Sequence, residues 1–199
     1  MIKVERNNLE SIATEYCKKV IKSNRAKTDK PVRSFFNANI TNIILAQPNE
    51  FSKWMVLFSE EFNKTDAESL EDFKKYMNNQ YEAINKKYGY WLAKELDMNT
   101  CPYCNRQYTF TIDNKKRIKP QFDHFYPKSL YPYFALSFYN LIPCCPICNH
   151  TKKDSDKRLL HPYYEGFGDE SFFCVNHRDY VLNNKKVEVE FNFYFFIIQ

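Results

Sequence analysis

Cys101-Pro102-Tyr103-Cys104-Asn105 returns as Cys145-Pro146-Ile147-Cys148-Asn149, with 40 residues between the two Cys-x-x-Cys pairs. Each pair forms a tight turn that can place two sulfurs about 2.3 Å from one ion, and two such turns complete a tetrahedral Zn²⁺ site. Pro102 and Pro146 fix backbone angles inside the turns and favour a preformed knuckle. A redox dithiol is the competing reading of a single pair, but a redox protein has little use for two. Cys144 sits beside Cys145; Cys145 is the ligand of choice because it keeps the two-residue gap to Cys148. Four sulfurs leave no open coordination position, so Cys101, Cys104, Cys145 and Cys148 predict a structural zinc. Such a site supplies folding free energy on the order of 10 kcal/mol, which a segment with little core of its own needs.

The rest of the composition agrees with a reducing setting. Seven Cys in 199 residues is an odd number, and Cys17 and Cys174 read as ordinary buried thiols. With 27% charged and 44% apolar residues the chain is globular rather than disordered. No window approaches the ~18 apolar residues of a membrane span. The opening Met1-Ile2-Lys3-Val4-Glu5-Arg6 is too polar for a secretory signal, which predicts a cytoplasmic protein. Charge is uneven: residues 101–160 carry 10 basic and 4 acidic side chains, whereas 161–199 carry 3 and 6. The positive excess therefore coincides with the Cys pairs, as expected of a surface that meets phosphates.

Upstream of the knuckles the pattern is helical. Asn7 or Asn8 can cap a helix from Leu9 to about Ile21, with Leu9, Ile12, Tyr16 and Val20 on one stripe. Further apolar stretches run from Phe35 to Leu45 and from Phe51 to Phe62, while Lys27–Lys30 reads as a turn. Thr65-Asp66-Ala67-Glu68 is a capping-box pattern for a helix reaching Leu96. After Cys104 the period changes. Gln107–Ile112 alternates like a strand, Asp113–Lys116 reads as a turn, and Arg117–Phe122 as the returning strand. An aromatic and proline-rich loop follows from Phe125 to Pro143, then a short helix from about Pro146 to Asp154. Phe125, Tyr126, Tyr131, Tyr133, Phe134, Phe138 and Tyr139 either stack on bases or pack the loop onto the helices. The tail predicts strands at Tyr180–Leu182 and Val187–Ile198 around an Asn183-Asn184 turn. Its apolar Phe191–Ile198 end reads as a core strand, or as a sign that the chain or an apolar partner continues.

Asp123-His124 ends the second predicted strand, between the two Cys pairs. An imidazole titrating near neutrality suits a general base, and a carboxylate beside it can hold a divalent cation. The run Cys101-x-x-Cys104, Asp123-His124-Phe125-Tyr126-Pro127, Asn140-Leu141, Cys145-x-x-Cys148-Asn149-x-x-Lys152 resembles the HNH endonucleases with zinc-knuckle pairs. The resemblance covers about residues 101–154 and implies a zinc-bound ββα-metal nuclease fold that hydrolyses phosphodiester bonds of DNA. It implies His124 as the base, Asn140 as the residue that orients it, and Asp123 and Asn149 as ligands of one catalytic Mg²⁺ or Mn²⁺. His150 is the alternative to Asn149, and would favour Mn²⁺, Ni²⁺ or Zn²⁺. Lys152 and Lys153 on the same helix can contact phosphates as point charges, and Lys128 and Arg106 can do likewise. The knuckles and spacing are also similar to the HNH subunits of bacterial anti-phage systems of the Septu type, which work beside an ATPase. The expected protein is thus α+β: a helical partner-docking region (1–96), a zinc-bound nuclease core (97–160) and a C-terminal β-rich extension (161–199). The alternative is a zinc-dependent nucleic-acid-binding module, or a complex subunit without nuclease activity of its own.

Overall fold

Helix α5 (Ala67–Leu96) is 30 residues long, about 45 Å at 1.5 Å per residue, the longest element among the described residues. The computed structural model describes residues 1, 3–23, 30–112, 118–155 and 160–166, with the backbone of 173–175 and 191–193. The chain divides into two compact units, Met1–Gly166 and Phe167–Gln199.

The first unit opens with α1 (Leu9–Ser23), which buries Ile12, Ala13, Tyr16, Cys17 and Val20. The expected second helix is broken into α2 (Pro31–Ala38) and α3 (Ile40–Leu45). Asn39 is the reason: its side-chain amide donates to the Phe35 carbonyl at 2.9 Å, an alternative to continuing the helical ladder. Helix α4 (Phe51–Asn63) buries Phe51, Trp54 and Phe58. The start of α5 also differs from expectation. Asp66, not Thr65, is the cap, and its carboxylate accepts from the Ser69 amide at 2.8 Å. Thr65 instead donates its hydroxyl to the Glu61 carbonyl. At the far end Asp97 takes the left-handed backbone (φ 42°), and Arg6 donates to the Leu96 carbonyl at 2.7 Å.

The sheet is not the hairpin expected at 107–122. Strand β1 (Gln121–His124) pairs antiparallel with β2 (Leu141–Cys144), in the register Gln121↔Cys144 and His124↔Leu141. The alternating stretch after Cys104 pairs only through single bridges, Thr100↔Tyr108 and Ile112↔Ile118. The turn expected at Asp113–Lys116, with Arg117, lies outside the described residues. Strand β2 escaped notice because Leu141-Ile142-Pro143-Cys144 is buried on both faces and contains a proline. A two-stranded sheet consists only of edges, so the missing Pro143 N–H costs no pairing on its outer side. Helix α6 (Pro146–Lys152) follows directly, as expected.

The core is aromatic. The 125–143 loop folds through two short 3₁₀ turns, Pro132–Phe134 and Phe138–Asn140. It drives Phe134 and Phe138, both fully buried, into the helices. Tyr133 stacks on Phe58 with ring centroids 4.0 Å apart, and Phe134 meets Phe51 at 4.6 Å. Burying side chains of this size contributes about 1.5–3 kcal/mol each. The loop aromatics therefore pack the protein rather than wait for bases. Phe125 and Tyr139 are buried as well, while Tyr126 and Tyr131 are half-buried.

In the second unit the described residues form one antiparallel pair, β3 (Phe173–Val175) with β4 (Phe191–Phe193). The expected strand at Tyr180–Leu182, the Asn183-Asn184 turn and the remainder of Val187–Ile198 lie outside the described residues, as does the turn at 27–29.

Candidate metal centre and active site

The two knuckles meet. The Sγ atoms of Cys101, Cys104, Cys145 and Cys148 all lie within 4.8 Å of one another, so a small inward rotation of the side chains would seat one ion on four Zn–S bonds of about 2.3 Å. Each turn is closed by its own backbone: the Asn105 amide donates to the Cys101 carbonyl at 2.9 Å and the Asn149 amide to the Cys145 carbonyl at 3.1 Å. The repeated asparagines serve differently, since Asn105 adopts the left-handed backbone (φ 51°) that ends the first knuckle. Around Cys104, burial opposes ionisation but is outweighed by donors from the Arg106 and Gln107 backbone, which hold its thiol down to about 7. That favours the thiolate a metal requires. Cys144 ends β2 outside the cluster, and burial raises its thiol well above the ordinary value. Cys145 is the member of the cluster, as the two-residue gap predicts.

Strand β1 sends alternate side chains to opposite faces. Phe122 and His124 turn toward the helices, while Gln121 and Asp123 turn toward α6. The His124 ring lies edge-to-face on Tyr81 of α5, with centroids 4.4 Å apart. Its Nε2 is 3.0 Å from the Ala135 carbonyl. A carbonyl only accepts, so Nε2 carries the proton and Nδ1 keeps its lone pair. Burial lowers the His124 pKa to about 3, with Lys128 and Lys152 adding to the effect and the Ala135 bond opposing it. The imidazole is therefore neutral at physiological pH.

Asn140, fully buried, ties down the loop on which this geometry depends. Its Oδ1 accepts from the Tyr126 amide at 2.7 Å, and its Nδ2 donates to the carbonyls of Tyr126 (3.1 Å) and Phe134 (3.0 Å). Tyr126 lies two residues after His124 and Phe134 one before Ala135, so a single amide fixes both sides of the imidazole's anchor. The Asn140 carbonyl also accepts from the Phe125 amide at 2.9 Å.

On the α6 side, Asp123 is only 4% exposed. Its Oδ2 accepts from the Tyr103 hydroxyl at 2.6 Å and lies 3.1 Å from Lys152 Nζ. Burial raises the Asp123 carboxyl above the ordinary range, against the pull of Tyr103 and Lys152. Lys152 also donates to the His124 carbonyl at 2.7 Å. The structure thus turns Lys152 inward, with a side chain 7% exposed, instead of leaving it on the surface for phosphates. One helical turn earlier, Asn149 Nδ2 donates to Gln121 Oε1 at 2.7 Å, which leaves Oδ1 as its acceptor. His150 is exposed. Lys153 ends α6, also exposed, with φ 47°. Lys128 is half-buried, bonded to Asn78 and 5.2 Å above the Tyr81 ring, while Arg106 is exposed.

Asp123 and Asn149 thus lie on the same side of β1, and His124 projects from the other. Two oxygen donors of this kind suit a hard divalent cation better than a thiophilic one. A carboxylate has about four acceptor directions, so the two donors on Asp123 do not exhaust it. An ion there would share the carboxylate with Lys152 or displace it.

Sequence reading missed Tyr81, Tyr103 and the Ala135 carbonyl. Tyr103 stands inside the first knuckle and was open to notice there. Tyr81 and Ala135 reach His124 only through the tertiary fold.

This chain is 28% identical over 116 residues to the Septu protein PtuB of Bacillus thuringiensis. The similarity is distant, and it takes in 58% of this chain and 39% of that protein. The chain thus spans well under half the length of that relative. No family model matches the chain, and no solved structure matches it. No helix among the described residues is long and apolar enough to cross a membrane.

Proposed function

We propose that this chain is a zinc-stabilised endonuclease of the HNH type that hydrolyses phosphodiester bonds of DNA within an anti-phage defence system. The observation that carries the reading is the Asn140 clamp. A buried amide, three hydrogen bonds and the Ala135 carbonyl hold one tautomer of a neutral imidazole on one face of β1, the strand whose other face carries Asp123 and meets Asn149. The distant similarity to a Septu protein supports the defence setting. It also supports a partner from the same system, such as an ATPase, for which the helices of residues 1–96 are the docking region.

In this reading His124 Nδ1 takes the proton of an attacking water. The neutral state imposed by burial makes Nδ1 available, while the Ala135 carbonyl stabilises the cationic ring that proton transfer creates. Asn140 is a positioning residue, because it acts through the loop and not on the substrate. Asp123 and Asn149 would hold Mg²⁺ or Mn²⁺, which when bound supplies Lewis-acid stabilisation of the departing 3′ oxygen. Tyr103 and Lys152 hold the Asp123 oxygens in place. Lys153 and Arg106, both exposed, meet backbone phosphates without reading sequence.

The test is a cleavage assay on DNA with Mg²⁺ or Mn²⁺. His124→Ala should lose about 10²–10⁴-fold in rate while keeping its zinc. Cleavage unchanged in that variant would overturn the assignment.

A second reading is favoured by the closure of the site, where Asp123 and His124 are 4% and 8% exposed. In it the chain is a silent subunit whose catalytic face opens on a partner. Inactivity of the isolated protein, relieved by adding a partner ATPase, would select this reading.

A further inference from the structure

Residues 108–112 reverse the usual polarity of a half-buried strand. Thr109 points inward, 4% exposed, its amide donating to the Asn99 carbonyl at 3.1 Å and its hydroxyl to the Met98 carbonyl at 2.8 Å. With the polar residue anchored inside, alternation sends the apolar neighbours outward. Tyr108 is 74% exposed, Phe110 47% and Ile112 39%, and Ile118 beside Ile112 is 54% exposed. The Tyr108 and Phe110 rings lie nearly parallel, with centroids 5.1 Å apart and planes 9° from each other. Scattered surface apolar residues need no explanation, but an aligned and solvated aromatic pair costs stability unless something covers it.

The charge of this stretch of sequence points to what covers it. In sequence, residues 101–120 carry five basic side chains and one acidic one, and among the described residues exposed Arg106 stands two residues before Tyr108. An apolar protein partner would gain nothing from this excess, whereas a polyanion with flat aromatic groups gains from both features. Duplex bases have their faces already stacked, so only an unpaired strand can offer one. We propose that Tyr108 and Phe110 form a stacking platform for an unpaired nucleic-acid strand; the knuckle from which this stretch continues also carries Tyr103, which donates to Asp123. The proposal rests on the nucleic-acid reading above and sharpens its substrate class.

The experiment measures binding by the full-length, zinc-loaded protein without added divalent ions. The probes are fluorescent oligothymidylate, oligouridylate and a mixed-sequence duplex. Binding should favour the single strands over the duplex, and the two oligomers tell DNA from RNA. Tyr108→Ala/Phe110→Ala should weaken single-strand binding about tenfold, the order expected for loss of base stacking. The dependence of log affinity on log salt should not change, because no phosphate contact is lost. Arg106→Ala should instead lower that slope by about one. Tyr108→Phe/Phe110→Tyr keeps both rings and should restore affinity. All these side chains are exposed, and retained zinc confirms that the variants fold. Unchanged binding in the alanine variant, or equal affinity for the duplex, would overturn the proposal. Ring-dependent binding, with no cleavage once Mg²⁺ or Mn²⁺ is added either alone or together with the partner, would leave the platform standing and remove the nuclease reading. Cleavage with ring-independent binding would do the reverse.

Discussion

The helices and the knuckles solve the same problem with opposite means. In the helical region, Phe36, Phe51, Phe58 and Phe73 are fully buried, and Phe134 and Phe138 of the loop join them. Around the knuckles the buried cluster consists of Cys101, Cys144 and Cys145, with Tyr103, Cys104 and Cys148 packed against it. The first region is held by apolar area removed from water, whereas the second has four clustered sulfurs, suited to one zinc ion, and a few backbone bonds. The candidate site lies on the seam, where β1 sends His124 to the aromatic side and Asp123 to the knuckle side. A side chain that must keep one tautomer gains from a rigid core. A carboxylate that must accept an ion gains from a wall that is assembled separately.

Zinc removal should separate the two regions most strongly. Stripping the ion, or Cys145→Ala, should forfeit on the order of 10 kcal/mol of local folding energy. Amide exchange should then lose protection at 101–112 and 145–152, while α1, α4 and α5 stay protected. Cys144→Ser should retain the zinc. Loss of protection throughout α5 would erase the distinction between the two regions. On the other side, Phe134→Ala should cost about 3–5 kcal/mol in urea unfolding, because the ring is fully buried against Phe51. A smaller loss would show that the loop relaxes into the space.

A pH effect of intermediate size belongs to the aromatic core. His161 packs its ring on Phe125, centroids 4.2 Å apart, and burial lowers its pKa to about 3, opposed by the Tyr139 backbone. Unfolded histidine titrates near 6.5. Below that value the unfolded chain binds a proton that the folded chain refuses, so stability falls as pH drops from about 6.5 toward 3. Buried His124, also lowered to about 3, contributes the same dependence, so His161→Phe should roughly halve that slope in urea midpoints measured across the range; an unaltered slope would assign the effect to other groups. The smallest effect is expected at the start of α5, where Asp66→Ala removes the cap and should cost about 1 kcal/mol. Thr65→Ala tests the assignment, since it should leave the Ser69 amide satisfied.

The clustering of the four cysteines was legible because their spacing is itself the chemistry: two residues between cysteines set the bite of each turn. The helices were legible from periodicity, apart from the break at Asn39, where a side chain competes with the backbone. The sheet was misread because alternation at Gln107–Ile112 signals exposure on one face, not pairing, and because Pro143 disguised β2. The candidacy of His124, Asn140, Asp123 and Asn149 rests on resemblance and on residue type. Their surroundings were not. Lys152 reads in sequence as a surface charge and folds inward as the countercharge of Asp123, because α6 crosses β1 at that point. Tyr81, 43 residues before His124, has no local signal that links the two.

The most direct test is anomalous diffraction from crystals of the zinc-loaded protein soaked in Mn²⁺. The account predicts a zinc peak enclosed by Cys101, Cys104, Cys145 and Cys148, and a separate manganese peak against the oxygens of Asp123 and Asn149. Manganese bound elsewhere, with the Asp123–Lys152 pair undisturbed, would contradict it.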